Sequence, residues 1–381
     1  MKVNLISIIH LSSIPSIRFI VSRLAGFKNF QITISDIQLA EYTDYFHDFE
    51  NVSTQPLAQY KSYQAYKNDD RNVKRSRYLS VIKKIFVAYL NNDKYLFIYE
   101  YQVLFFALIL KRLLFFSKTK LIYHQYEMII LDEIYGIHLR FFKRALKHAY
   151  TIDLAIFPEQ NRLDYFVEKS SIKAEKTMLI PNSCYLAEAE VSKHAVFDSI
   201  PADRLLIGHI GNIGLKGHFF EEYMKVIESL ANDDSYFFLF VGIKSDELKE
   251  RLKGLELKNA LFLDAVPHHE LASIYEQLDV GVILYRGVDL NFEYCAPNKL
   301  YEYWSHGIPV IAHQLEGLKS VYQIEEQGKL IDFTKGENLV SALKQAQQLK
   351  QGKAKLKQYF KTNLQIANYL DKFESRLKAL D

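Results

Sequence analysis

Short, near-continuous apolar runs recur along the whole chain, each followed by a longer stretch with helical spacing. Runs such as Leu205–Ile210, Phe237–Val241 and Val280–Leu284 lack the alternation of a strand with one wet face. They read as strands buried on both faces, the situation of parallel strands joined by crossover helices. The same signal predicts strands at Val3–Ile9, Phe30–Ile34, Tyr95–Tyr99, Lys120–His124, Leu154–Phe157 and Met178–Ile180. It continues at Ala260–Leu263 and Val310–Ala312. The expected class is α/β, with two doubly wound parallel sheets.

At 381 residues the chain is long enough for two such domains. The polar stretch Asn182–Asp203, with Pro201 and no clear period, is the expected linker, and a cleft is expected there. The predicted division is 1–190, 191–360 and a C-terminal helix at 361–381 that packs back on the first domain.

Two cysteines, Cys184 and Cys295, are too few and too far apart for a disulfide framework or a thiolate metal site. A reducing cytoplasm is the expected compartment. The opening run Leu5–Ile9 is cut short by His10, Ser12 and Ser13 and reads as a first strand rather than a signal peptide. The most apolar segment, Val103–Phe116, is interrupted by Lys111 and Arg112 and is shorter than the roughly 20 residues a spanning helix needs.

Charge is unevenly placed. Residues 1–190 hold 25 Lys and Arg against 19 Asp and Glu, whereas the remainder holds 23 against 26. The basic residues gather at Arg71, Lys74, Arg75, Arg77, Lys83 and Lys84, and at Arg140, Lys143, Arg144 and Lys147, with aromatic and aliphatic residues between. Such a pattern suits a solvated helix face or a surface resting on anionic lipid at the inner membrane face. No nucleic-acid module accompanies it, so nucleic acid is not an expected partner.

The most informative segment runs from Cys295 to Ala312. Pro297 suits a helix start and His306-Gly307 its end, before a buried strand resumes. Unpaired N–H groups and the positive dipole end at such a start favour a phosphate, and Lys299 adds a full charge. Glu302, one turn on, can accept hydrogen bonds from vicinal hydroxyls such as those of a ribose. The competing explanation is a surface i,i+3 pair between Lys299 and Glu302. A second phosphate-capable loop, Ile210 to Gly217, places Gly211, Gly214 and Gly217 beside Lys216 between a strand and a helical run.

The second half, in the order Gly211, Lys216-Gly217, Leu239-Phe-Val-Gly242, Leu263-Asp-Ala-Val-Pro267, Leu271–Asp279, Pro297-Asn-Lys-Leu-Tyr-Glu-Tyr303 and Gly307-Ile-Pro-Val-Ile311, resembles the nucleotide-sugar domain of family 4 glycosyltransferases. That resemblance implies the GT-B fold, two Rossmann-like domains facing a cleft. It implies that Lys216 binds the donor diphosphate, that Ala296, Pro297, Asn298, Lys299 and Leu300 hold the phosphates or sugar, and that Glu302 binds the ribose. The first half resembles the acceptor domain through Asp93–Glu100, Leu121–Glu127 and Ala155–Glu159, which makes His124 and Glu127 candidates for catalysis. For Glu159 and Arg162 a role at the start of the next helix is the simpler explanation.

Two departures stand out. Many family members carry Arg after the glycine matching Gly211, where this chain has Asn212. Eight positions before Glu302, where a second Glu is usual, stands Tyr294, with Glu293 one place away. Arg286 is a candidate to restore the missing charge.

The implied reaction is transfer of a glycosyl group from a nucleoside diphosphate sugar to a hydroxyl, with retention. Helix N-termini, Lys216 and Lys299 would stabilise the leaving diphosphate, so no metal or other cofactor is expected. Asp69-Asp70 and Asp233-Asp234 read as solvated turns. A lipid-linked saccharide in capsular or related cell-surface polysaccharide assembly is the preferred acceptor. A catalytically silent GT-B protein that stabilises a partner transferase is the alternative from another class. A nucleotide-sugar epimerase is disfavoured because its carboxylate pattern is not visible.

Overall fold

The computed structural model describes residues 1–128, 130–131, 137–187, 194–201, 203–253, 255, 257–267 and 270–380. The chain divides into two compact units, Met1–Asn182 with Tyr369–Asp381, and Ser183–Asn368.

In the first unit the strands are β1 (Lys2–Ile6), β2 (Gln31–Ser35), β3 (Ile37–Leu39), β4 (Val52–Thr54), β5 (Ala58–Tyr60), β6 (Tyr95–Ile98), β7 (Lys120–His124), β8 (Leu154–Phe157) and β9 (Thr177–Leu179). Seven form a parallel sheet in the order β4-β2-β1-β6-β7-β8-β9, and β3 pairs with β5. The helices are α1 (Pro15–Ala25), α2 (Tyr63–Lys67), α3 (Arg71–Leu90), α4 (Tyr101–Leu113), α5 (Ile137–Leu146) and α6 (Gln160–Lys169). Each central strand is apolar because helices cover both faces. All four residues of β6 are buried, and α1 buries Ile17, Ile20, Val21 and Leu24 at helical spacing. The strands β3, β4 and β5, absent from the sequence reading, are three residues long and carry polar residues, too little for a periodicity to show.

The reading of Asp69-Asp70 as a solvated turn is corrected in part. Asp70 does cap α3, accepting from the N–H groups of Asn72 and Val73. Asp69, however, is buried in an ion pair with Arg77 at 2.8 Å, which Tyr60 joins by donating to the same carboxylate at 2.5 Å. Arg77 therefore leaves the exposed basic cluster and faces inward, stacked 4.8 Å from the Tyr66 ring centre.

In the second unit six parallel strands are ordered β12-β11-β10-β13-β14-β15, namely β10 (Leu205–Ile210), β11 (Tyr236–Ile243), β12 (Ala260–Asp264), β13 (Val280–Ile283), β14 (Val310–His313) and β15 (Gly328–Ile331). Helices α7 (Phe220–Ser229), α8 (Asp246–Lys253), α9 (Leu271–Tyr275), α10 (Leu290–Glu293), α11 (Asn298–Ser305), α12 (Glu316–Lys319), α13 (Gly336–Lys350), α14 (Lys353–Tyr359) and α15 (Ile366–Lys378) follow. Residues of α15 from Tyr369 on belong to the first unit, where Tyr95 Oη donates to the Leu377 carbonyl at 3.1 Å and Arg23 pairs with Asp371 at 2.7 Å.

In each sheet the strand order reverses beside the first strand, between β1 and β6 and between β10 and β13. Ligands of open parallel sheets bind at such switch points, beyond the carboxyl ends of the strands. Among the described residues no helix is long and apolar enough to cross a membrane.

Candidate functional site

Beyond β10 the chain turns at Gly211, whose φ of +135° is a region that L side chains rarely adopt. A Cβ there would run into the Lys299 side chain, with Nζ 3.0 Å away. The neighbouring Gly242, also at positive φ, lets its strand end approach the Gly211 backbone, since a Cβ would stand 3.1 Å from the Gly211 carbonyl carbon. The glycine after β10 thus serves to let a lysine lie across the strand end.

Lys299 comes from the first turn of α11. Pro297 occupies the N-cap and offers no side-chain cap; the Leu300 N–H donates to the Pro297 carbonyl at 3.0 Å, and the N–H groups of Asn298 and Lys299 are left for another acceptor. Tyr303 fixes this helix to the sheet: its Oη accepts from the Ile210 N–H at 2.9 Å and donates to the Gly208 carbonyl at 2.8 Å. Its ring fills the space that a Cβ at Gly281 would occupy. The ion pair between Lys299 and Glu302 does not form among the described residues. Lys299 lies at Gly211, while Glu302 Oε2 accepts from Tyr275 Oη at 2.6 Å, which leaves Oε1 for a ligand.

The other sequence-predicted residues are placed as follows. Asn212 and Lys216 are exposed on the loop after Gly211 and make no hydrogen bond with the described residues. Ala296 and Leu300 are buried in the core, so only their backbones can meet a ligand. Pro297 is buried, and Asn298 half-buried at the first position of α11. Arg286 is drawn to the same side, because its N–H donates to the Gly217 carbonyl at 3.0 Å. Its guanidinium, however, pairs with Glu222 at 2.6 Å and lies 4.3 Å over the Phe219 ring centre. Glu293 accepts from the Glu316 N–H at 3.0 Å, at the start of α12.

Two histidines missed by the sequence reading lie beneath the loop. His209 and His218 have ring centres 6.5 Å apart, and each has a buried Nε2 without a hydrogen-bond partner among the described residues. Burial pushes His209 down to about 3, with Lys299 and His218 adding in the same direction, so it is neutral at physiological pH. A histidine inside an apolar strand run was the available signal.

The first unit has a cavity of its own. A cavity of about 440 Å³ opens where the segments after β1, β2, β6 and β7 meet, lined by His10, Ile37, Glu100, Tyr101 and Glu127 among others. His10 Nδ1 is 2.9 Å from the Ile37 carbonyl, which assigns the proton to Nδ1 and leaves Nε2 as an acceptor; Nε2 is buried without a partner among the described residues. Glu100 accepts from Ser7 Oγ at 2.7 Å and from the Ile8 N–H at 3.0 Å, yet burial lifts its carboxyl to about 7. His124 ends β7 but does not line this cavity. It is 2% exposed, its ring centre is 5.6 Å from that of Tyr99, and burial pushes it down to about 4. Glu159 accepts from the Arg162 N–H at 3.2 Å, the helix-start role expected of it.

Residues 204–348 match the family model described as glycosyl transferases group 1, so the resemblance read from the motifs holds for that segment at the level of group 1. The chain has the GT-B fold. It superposes on Anabaena HepE in complex with UDP with a TM-score of 0.72, at 13% identity and over 100% of both chains. A glycosyltransferase from Rickettsia africae gives 0.71, at 12% identity over 100% of this chain and 98% of that one. An E. coli protein bound with UDP-2-fluoro glucose gives 0.69, at 12% identity over 99% of each. Comparison with curated protein sequences finds no match.

Proposed function

We propose that the protein is a glycosyltransferase that moves a sugar from a nucleoside diphosphate sugar to a hydroxyl, with retention of anomeric configuration and without a metal. The observation that carries this is the convergence of Lys299, the uncapped start of α11 and the Gly211 turn on one point, with Glu302 held one turn away by Tyr275. A diphosphate at that point would meet a full positive charge and aligned N–H groups, which stabilise it as a leaving group without reorganisation. Lys216, exposed on the adjoining loop, is within the same segment that matches the group 1 model. Glu302 Oε1 would take the ribose hydroxyls. The structurally similar HepE, seen with UDP and with UDP-glucose, supports uridine diphosphate sugars as the first donors to test.

The acceptor in this reading is a lipid-linked saccharide used in capsular or related polysaccharide assembly at the inner membrane face. The aromatic and carboxylate-lined cavity of the first unit suits a sugar, with His10 Nε2 placed to accept from a hydroxyl. The test is release of UDP from UDP-sugars on adding membrane extract as the acceptor source, with Lys299→Ala as control. The silent-partner alternative draws on the Asn212 and Tyr294 departures, to which the commitment of Arg286 to Glu222 adds, and is favoured if no diphosphate binds at all.

A further inference from the structure

On the first unit α3 packs on α4 and α4 on α5, and none of these three helices contains an Asp or a Glu. Between them lies a groove of about 770 Å³, within the roughly 300–1,000 Å³ range of ligand pockets. Its walls are apolar: Leu79 and Ile82 from α3, Phe105 and Phe106 from α4, Phe141 and Phe142 from α5. Leu79 is 67% exposed and Phe141 47%, so the groove is open along the surface. An exposed apolar patch of this kind, rimmed by polar residues, marks a binding surface.

Charge and continuity identify the occupant. Arg75 lines the groove, is exposed, and has no ion-pair partner among the described residues; Arg71 stands one turn before it on the same helix. Tyr101 and Gln102, at the start of α4, line both this groove and the polar cavity that holds His10, Glu100 and Glu127. A molecule reaching across both would be polar at one end, anionic near Arg75 and hydrocarbon beyond. We propose that the groove binds the isoprenoid or acyl chain of a phosphate-linked lipid acceptor, with Arg75 on the phosphate and the saccharide in the adjoining cavity. This rests on reading that cavity as the acceptor site.

The test is calorimetric titration of the purified protein with geranyl phosphate, farnesyl phosphate, farnesol and inorganic phosphate. Affinity is expected to rise about tenfold or more from geranyl to farnesyl phosphate, as buried methylenes dictate, with inorganic phosphate and farnesol both weaker than farnesyl phosphate. Leu79→Asp and Phe141→Asp, both at exposed positions, are expected to weaken farnesyl phosphate at least about tenfold, and Arg75→Ala to bring it down toward farnesol. Because all three positions lie in the first unit, an unchanged cooperative thermal unfolding transition and far-UV circular dichroism serve as the check that each variant is folded. Equal affinity for the two chain lengths, or unchanged binding in the Asp variants, overturns the assignment. It is also overturned if those variants lose only their adsorption to vesicles of phosphatidylcholine and phosphatidylglycerol, because the face would then be a membrane contact. Chain binding without any UDP binding would leave the groove standing and remove the donor reading instead.

Discussion

Lys299 lies across the backbone of Gly211, so that the residue at the start of α11 and the glycine at the end of β10 can hold their conformations only together. Replacing Gly211 with Ala forces a side chain into a positive φ and into the lysine. The expected result is a loss of more than about 1 kcal/mol in stability of the second unit, together with loss of UDP-induced stabilisation. Lys299→Ala is expected to keep the fold and weaken UDP binding about tenfold or more, as removal of a charge-assisted contact does. Denaturant unfolding and calorimetric titration separate the two effects.

Glu302 is aimed by Tyr275. In Tyr275→Phe the carboxylate loses its 2.6 Å donor, and the preference for UDP over 2′-deoxy-UDP is expected to fall several-fold, since the hydrogen bond that orients the acceptor is gone. Glu302→Gln is expected to narrow that preference further. Equal discrimination by both variants and the parent would detach Glu302 from the ribose.

Tyr303→Phe removes one hydroxyl, which leaves the buried Ile210 N–H without this acceptor and takes one hydrogen bond from the carbonyl of Gly208, a residue paired in register with Gly281 of β13. The cost is about 1–3 kcal/mol, seen as a melting point lower by several degrees in the transition of the second unit.

The first unit is expected to be sensitive to pH. Burial lifts Glu100 from 4.5 and Asp36 from 3.8, each to about 7, so between these limits the folded unit holds protons that the unfolded chain has released. Their contribution to stability is complete below about pH 4 and is lost as pH rises through about 7. The protonated Glu100 can donate to Ser7 Oγ, which in turn can donate to the Ile9 carbonyl at 3.1 Å. Glu100→Gln is expected to flatten the pH dependence of thermal unfolding between pH 5 and 8, and an unchanged profile would rule out Glu100 as its source.

Much of this was legible in the sequence because buried parallel strands are continuous apolar runs, and because α11 is bracketed by Pro297 and Gly307. What could not be read depends on chain segments meeting across distance. Asp69 looks like half of a polar turn until Tyr60 and Arg77 close on it. His10 looks like the polar residue that ends an apolar run; only the neighbouring turn after β2, which brings the Ile37 carbonyl to its ring, places it in a cavity. Strand β15 opens on Gly328 at φ +117° and is half-exposed throughout, so no strand pattern announces it. The Lys299 and Glu302 pair had two physically sound readings at the same spacing, and the surface ion pair is the one set aside, because Tyr275, some 25 residues earlier, engages Glu302 instead.

Everything proposed for the second unit requires that it bind a nucleoside diphosphate at the start of α11. Its most direct test is thermal unfolding of the purified protein with UDP, GDP, dTDP and ADP in turn, repeated with Glu302→Ala. One diphosphate is expected to raise the melting point selectively, and the variant to lose most of the rise. No rise with any of the four, or a rise that Glu302→Ala leaves intact, would contradict it.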